Sequence, residues 1–170
     1  MTIAMHDDLP AAVQAMLDRP RHACEGPWPV SGEAVQSLAA AIHDEDPRRW
    51  AADPVPPQTM LSTWTRPARW SPDASAPQKP LQTHYDLKEL FGFPAAIVAS
   101  IESEFHAPVT MGATVRSVEL LRSVSAEKDT RLGRGRFWRI EVHYHDGAGE
   151  LLGIEHYECL GYRRAGERHG

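Results

Sequence analysis

An α+β fold, with helices first and a large antiparallel sheet wrapped around a helix after them, is what this sequence predicts. Three observations carry that expectation. Apolar residues in the first half recur at helical spacing between proline punctuation, as in Val35, Leu38, Ala39 and Ile42. From residue 95 onward the period changes to two, with Ala95, Ile97, Ala99, Ile101, Ser103 and Phe105 alternating with polar residues. Trp138, Ile140, Val142 and Tyr144 repeat the alternation before a Gly-rich turn.

Taken in order, Asp8 is an N-cap for a short first helix bearing Val13, Met16 and Leu17, stopped by Pro20. Pro27-Trp28-Pro29 is extended. Ser31 caps a second helix, Glu33 complements its dipole, and Pro47 is the expected stop. Residues 51–80 hold seven of the fourteen prolines, with one helix-compatible island at 58–65 that places Met60, Leu61 and Trp64 on one side. From 66 to 80 a surface loop or flap is expected. A short helix over 85–90 follows, ended by Gly92 and Pro94. The strands span 95–105, 113–124 (poorly alternating, hence a bulge or bend), 136–145 and 150–162, with Asp146-Gly147-Ala148-Gly149 as a hairpin turn. The division expected is 1–29 as an N-terminal helix and extended segment, 30–164 as the main domain, and 165–170 as a disordered tail.

With 170 residues, one domain with a real core is expected, and 42% apolar against 24% charged residues is ordinary for a soluble chain. A net charge of −5 argues against a nucleic-acid surface. The short basic clusters 131–136 and 163–164 are either solvated charge or contacts for the phosphates of a nucleotide-bearing ligand such as coenzyme A. No stretch approaches the ~20 apolar residues of a membrane span, and the N-terminus has no signal-peptide pattern. Cys24 and Cys159, without CxxC spacing, point to neither zinc nor a disulfide framework, so a cytoplasmic location is expected.

The chemistry-bearing stretch is His43-Asp44-Glu45-Asp46-Pro47-Arg48-Arg49-Trp50. It resembles the Gly-Asp-x-Asn-Pro-x-His loop of the (R)-specific enoyl-CoA hydratases, with Asp44 and Pro47 kept, Asp46 in the Asn position and Arg49 in the His position. Two more stretches are similar to the MaoC-like dehydratases of the N-terminal, FAS1-like type. One is Pro56-Pro57-Gln58-Thr59-Met60-Leu61-Ser62-Thr63-Trp64-Thr65, the other Phe105-His106-Ala107-Pro108-Val109-Thr110-Met111-Gly112, and the turn from Lys128 to Phe137 supports them. Together the resemblance covers about 30–164, with steroid-side-chain hydratase subunits the most similar in the Trp-containing segment and Gly92-Phe93.

That resemblance implies a single hot-dog fold whose long central helix is here interrupted. In catalytic members the Asp and His of the loop activate water for addition to an enoyl thioester. Imidazole suits the task because its pKa lies near 7, whereas a guanidinium stays protonated up to about pH 12. The loop therefore keeps one candidate catalytic residue, Asp44, and lacks the base. Relatives of this kind are the silent half of a double hot-dog, in which two modules pack with continuous sheets and the degenerate one shapes the acyl pocket. The expectation is a non-catalytic subunit of a heteromeric enoyl-CoA hydratase, acting with a catalytic MaoC-like chain on a bulky, steroid-like acyl-CoA. That partner would carry the dyad and the oxyanion-binding backbone N–H at its own central helix. No cofactor is expected beyond the coenzyme A of the thioester, and no metal. The interrupted helix leaves room for the acyl group, with Met60, Trp64, Phe91 and Phe93 as candidate substrate-binding residues or, alternatively, plain core.

Other readings stay open. The chain is alternatively a non-enzymatic module binding acyl-CoA or lipid, or an independently active hydratase or thioesterase using Asp44 or His106. His143 and His145, two apart on one strand face, are a metal pair or simply solvated. An apolar, pairing-competent sheet edge separates a subunit from a monomer, which blunts its edge with charge.

Overall fold

The computed structural model of the chain describes residues 9–66, 72 and 79–164. Asp8, most of the 66–80 loop and the 165–170 tail lie outside the described residues. Four helices, α1 (Ala11–Gln14), α2 (Gly32–Ile42), α3 (Leu61–Trp64) and α4 (Gln82–Leu90), face a six-stranded antiparallel sheet. Its strands are β1 (Arg21–Glu25), β2 (Ala95–Phe105), β3 (Arg116–Val124), β4 (Lys128–Thr130), β5 (Gly133–His145) and β6 (Leu151–Arg163). They run in the order β1-β3-β5-β6-β2, with β4 folded back on β5.

The centre of the sheet follows the sequence pattern. Trp138, Ile140, Val142 and Tyr144 all bury their side chains on the helix-facing side of β5. Two apolar clusters result. One packs Val13, Met16, Leu87 and Phe93 onto Leu121, Trp138 and Ile140; the other packs Val35, Met60, Leu61 and Trp64 onto Val115, Val142 and Leu152. β3 alternates badly for two reasons. A bulge between Leu121 and Ser123 shifts its register, as expected, and Glu119 sits on its inward face beside Leu121. At the β4–β5 turn, Gly133 adopts φ 134°, and a Cβ there would lie 1.9 Å from the Arg163 carbonyl oxygen, so only glycine fits.

Several boundaries differ from expectation. Helix α2 starts as expected, Ser31 accepting a bond from the Ala34 N–H at 3.3 Å. It ends at Ile42 because His43 turns left-handed (φ 56°), before Pro47 can act; Pro47 instead opens a 3-10 turn over Pro47–Arg49. Helix α4 begins at Gln82 rather than Tyr85. β1 and β4 were not anticipated: β1 is short and polar, and only its pairing with β3 makes it a strand. Of the N-terminal segment, the described residues 9–29 contribute α1 to the core and β1 to the sheet.

The central helix is broken. A 3-10 turn at Gln58–Met60 runs into α3, which stops at Trp64, and α4 starts afresh at Gln82. Leu81, left-handed at φ 60°, provides no side-chain cap for α4. The cap comes from the sheet: Glu119 accepts bonds from the backbone N–H groups of Gln82 (2.9 Å) and Thr83 (2.8 Å), one on each carboxylate oxygen. A buried carboxylate satisfying two of the helix's free donors and its dipole ties α4 to β3. Glu119→Ala leaves those donors without partners and is expected to cost about 1–3 kcal/mol, read as a lower denaturant midpoint at unchanged slope.

Candidate functional site

Two regions qualify as a site, the 43–50 loop and a cavity. In the loop, both Asp44 carboxylate oxygens are engaged. Oδ1 accepts from the Asp46 N–H at 3.0 Å, and Oδ2 faces Arg49 Nε at 3.4 Å. Arg49, whose side chain is only 13% exposed, also donates to the Val55 carbonyl at 2.6 Å and lies 3.5 Å from Asp46. Arg48 grips Asp46 through Nε at 3.0 Å and Nη2 at 2.6 Å, and these bonds hold the Asp46 carboxyl down at about 2. Trp50 Nε1–H closes the loop onto the Asp44 carbonyl at 2.8 Å. The loop is a self-contained ion-pair cage. The guanidinium that stands in the His position neutralises the carboxylate beside it and offers no acceptor for a water proton.

The cavity, of about 380 Å³, lies where the central helix is interrupted. That volume falls within the ~300–1,000 Å³ usual for small-molecule sites. Ser62, Thr65 and Arg66 line it from one side of the break, and Leu81, His84 and Tyr85 from the other. Ala96, Ile97, Val98 and Ile101 of β2 form an apolar wall, while Tyr144 and Tyr157 reach in from the sheet. Both phenols donate to one oxygen of the buried Glu155, Tyr144 at 2.8 Å and Tyr157 at 2.5 Å. Burial first, and the Glu155 carboxylate after it, push both phenols well above their usual range, so they stay protonated. Burial also raises the Cys24 thiol, which lines the cavity and donates to the Thr65 carbonyl at 3.3 Å. Burial, then the positive charge of Lys88, lowers His84 and keeps its imidazole neutral. These neutral groups and the β2 wall suit an apolar portion of an occupant, while Arg66, Lys79 and Glu119 on the same lining carry charge.

The residues singled out from sequence are distributed as follows. Asp44 and Arg49 meet in the loop, and neither lines the cavity. Met60 and Trp64 are buried in the second core cluster, and Phe91 and Phe93 pack 5.7 Å apart against Trp138. None of these four borders the cavity, although Ser62 and Thr65 from the same α3 segment do. The cavity's polar lining, His84, Tyr144, Tyr157 and Glu119, was not recognised as a site in the sequence. The usable signal was a Tyr on each strand of the β5–β6 hairpin with a carboxylate two residues before the second.

The remaining candidates are occupied by the protein itself. Arg136 donates to the Ser125 carbonyl and lies over the Phe91 ring; Arg163 donates to the carbonyls of Phe91 and Gly92 and lies over Phe93; Arg134 pairs with Glu127. His143 is bonded to Glu141 at 2.8 Å, and among the described residues no three His, Cys, Asp or Glu side chains gather as a metal site. His106 is half exposed, lies 3.5 Å from Glu104, and does not border the cavity. Cys24 and Cys159 are free thiols, the latter pushed up to about 12 chiefly by burial. No helix among the described residues is long and apolar enough to cross a membrane.

No family model matches the chain. It is 29% identical over 112 residues to a probable enoyl-CoA hydratase alpha subunit from Thermomonospora curvata, an alignment covering 64% of this chain and 34% of that protein. The chain thus spans about a third of the length of that curated relative. Among solved structures it superposes on the ChsH1-ChsH2 complex from Mycobacterium tuberculosis with a TM-score of 0.73 at 23% identity, covering 92% of each chain. A MaoC-like dehydratase gives 0.53 at 18% identity over 88% of this chain and 43% of that one. The HadBC (3R-hydroxyacyl-ACP dehydratase) complex from Mycobacterium tuberculosis gives 0.51 at 17% identity over 85% and 97%. A large antiparallel sheet with a few short helices packed on it, shared with these neighbours, is a hot-dog fold.

Proposed function

We propose that the chain is the non-catalytic, pocket-forming subunit of a heteromeric MaoC-like enoyl-CoA hydratase. Its substrate is a bulky acyl-CoA such as a steroid-derived one, and the Asp/His dyad belongs to the partner chain. The observation that carries this reading is Arg49 locked onto Asp44 in the loop where the resemblance calls for a base. The relative named as an alpha subunit and the ChsH1-ChsH2 and HadBC complexes among the structural neighbours support a paired arrangement. The cavity in the broken central helix supports a bulky acyl group.

A sheet edge favours this reading over a stand-alone binding module. β2 is the outermost strand next to β6, and on it Ile101 is 57% and Phe105 41% exposed, with Val98 and Ile97 close behind. An edge of that apolarity invites a partner. Ile97, Val98 and Ile101 also wall the cavity, so a chain docked there would close it.

The test is reconstitution. The isolated chain is expected to leave an enoyl-CoA unhydrated, and mixing with a co-encoded MaoC-like chain bearing an intact Asp…His loop to give turnover. In that mixture Asp44→Asn on this chain is expected to change the rate by less than about twofold, whereas loss of a true acid/base residue costs about 10²–10⁴-fold. Robust turnover by the isolated chain, abolished by Asp44→Ala and untouched by Arg49→Ala, overturns the proposal.

A further inference from the structure

His84 carries a ring hydrogen that no described residue accepts. The residue is 6% exposed, on α4, at the cavity wall. Its Nδ1 accepts a bond from Trp138 Nε1–H at 3.3 Å, which assigns the proton of the neutral ring to Nε2. No partner for Nε2 exists among the described residues. Four buried side-chain polar atoms there are sealed without a partner, Arg21 Nε, Trp64 Nε1, Thr83 Oγ1 and Ser123 Oγ, and His84 Nε2 is not one of them. It therefore reaches open space, and the space that His84 borders is the cavity. Four other polar groups of the lining are engaged within the protein: both tyrosine hydroxyls with Glu155, Glu119 with the start of α4, and the Cys24 thiol with the Thr65 carbonyl.

We propose that His84 is a specificity-determining residue of this cavity, donating its Nε2–H to a ketone or hydroxyl oxygen on an otherwise apolar ring or chain seated against Ala96, Ile97, Val98 and Ile101. This rests on the reading of the cavity as the acyl site and adds that the acyl group bears an oxygen remote from the thioester. Trp138 enforces the arrangement, because a ring turned to offer Nδ1–H to the ligand breaks the Trp138 bond. A site built around an unpaired buried donor rejects a ligand that lacks the acceptor, since that donor then loses water and gains nothing.

Binding of 2-decalone and of decalin to the full chain, followed by calorimetry and by the ¹⁵N and ¹H shifts of His84 Nε2–H, tests the assignment. The wild type is expected to bind the ketone about tenfold more tightly, the worth of one such bond, with the Nε2–H resonance moving only for the ketone. His84→Phe, similar in size but with no donor, is expected to bind both probes alike, and His84→Gln, which restores an amide donor, to recover part of the preference. The wild-type resonance decides the matter even if a variant does not fold. Equal binding of the two probes with an unmoved Nε2–H overturns the role of His84 and leaves the acyl site standing; binding of neither probe overturns both.

Discussion

Replacing Trp138 with alanine is expected to cost about 3–5 kcal/mol, the range for losing a large buried aromatic, against the ~5–15 kcal/mol that holds a typical domain folded. The indole lies at the middle of β5, fully buried, with the adjacent rings of Phe91 and Phe93 against it at 6.4 Å each. Its floor is Gly161 of β6, where even one added Cβ would come within 2.4 Å of the indole. Gly161 has no side chain to lean into the hole, so a large void and a large cavity penalty are expected. The indole N–H also orients His84, so the same substitution is expected to slacken the cavity wall. Urea unfolding monitored by far-ultraviolet circular dichroism gives the size of the loss. A change below about 1 kcal/mol means that the aromatic cluster is not the keystone of this core.

What the sequence made legible follows from which forces act locally. The alternation Trp138, Ile140, Val142, Tyr144 was readable because a strand with one buried face must repeat at two, and all four are buried. The break in the central helix was readable from its prolines, and the exchange of His for Arg49 from the loop itself. The cavity lining was not. Met60, Trp64, Phe91 and Phe93 read as pocket-lining or core residues, and they are half-buried or buried, but nothing local says which void a buried side chain borders. Glu119 and Glu155 resemble solvated carboxylates in sequence because their partners arrive through tertiary structure, helix N–H groups 36 and 37 residues away and two phenols. β1 failed for the same reason. Its Arg21 and His22 are anchored by Asp86 of α4, 65 and 64 residues on. The end of α2 was misplaced because a left-handed His43 needs no glycine or proline to stop a helix.

The second large effect concerns assembly. Ile101→Asp is expected to abolish association with the catalytic partner proposed above, weakening it by at least about 100-fold, while leaving the unfolding midpoint of the isolated chain unchanged. Ile101 is the most exposed large apolar residue of β2, so the monomer gains little from it. In a complex that covers this edge, burying the isoleucine contributes roughly 1.5–3 kcal/mol, and an unpaired carboxylate in its place costs several more. A loss of 2.7 kcal/mol already amounts to about 100-fold in affinity. The neighbouring β2 residues sharpen the contrast: Glu102 and Glu104 lie exposed on the same strand, so a general aversion to acidic charge cannot explain a specific defect at 101. Sizing chromatography and calorimetric titration of the two chains read the effect directly. Because Ile101 also walls the cavity, turnover on a bulky acyl-CoA should fall with assembly. Undiminished association in Ile101→Asp would place the partner on another surface and leave the cavity open to solvent along β2.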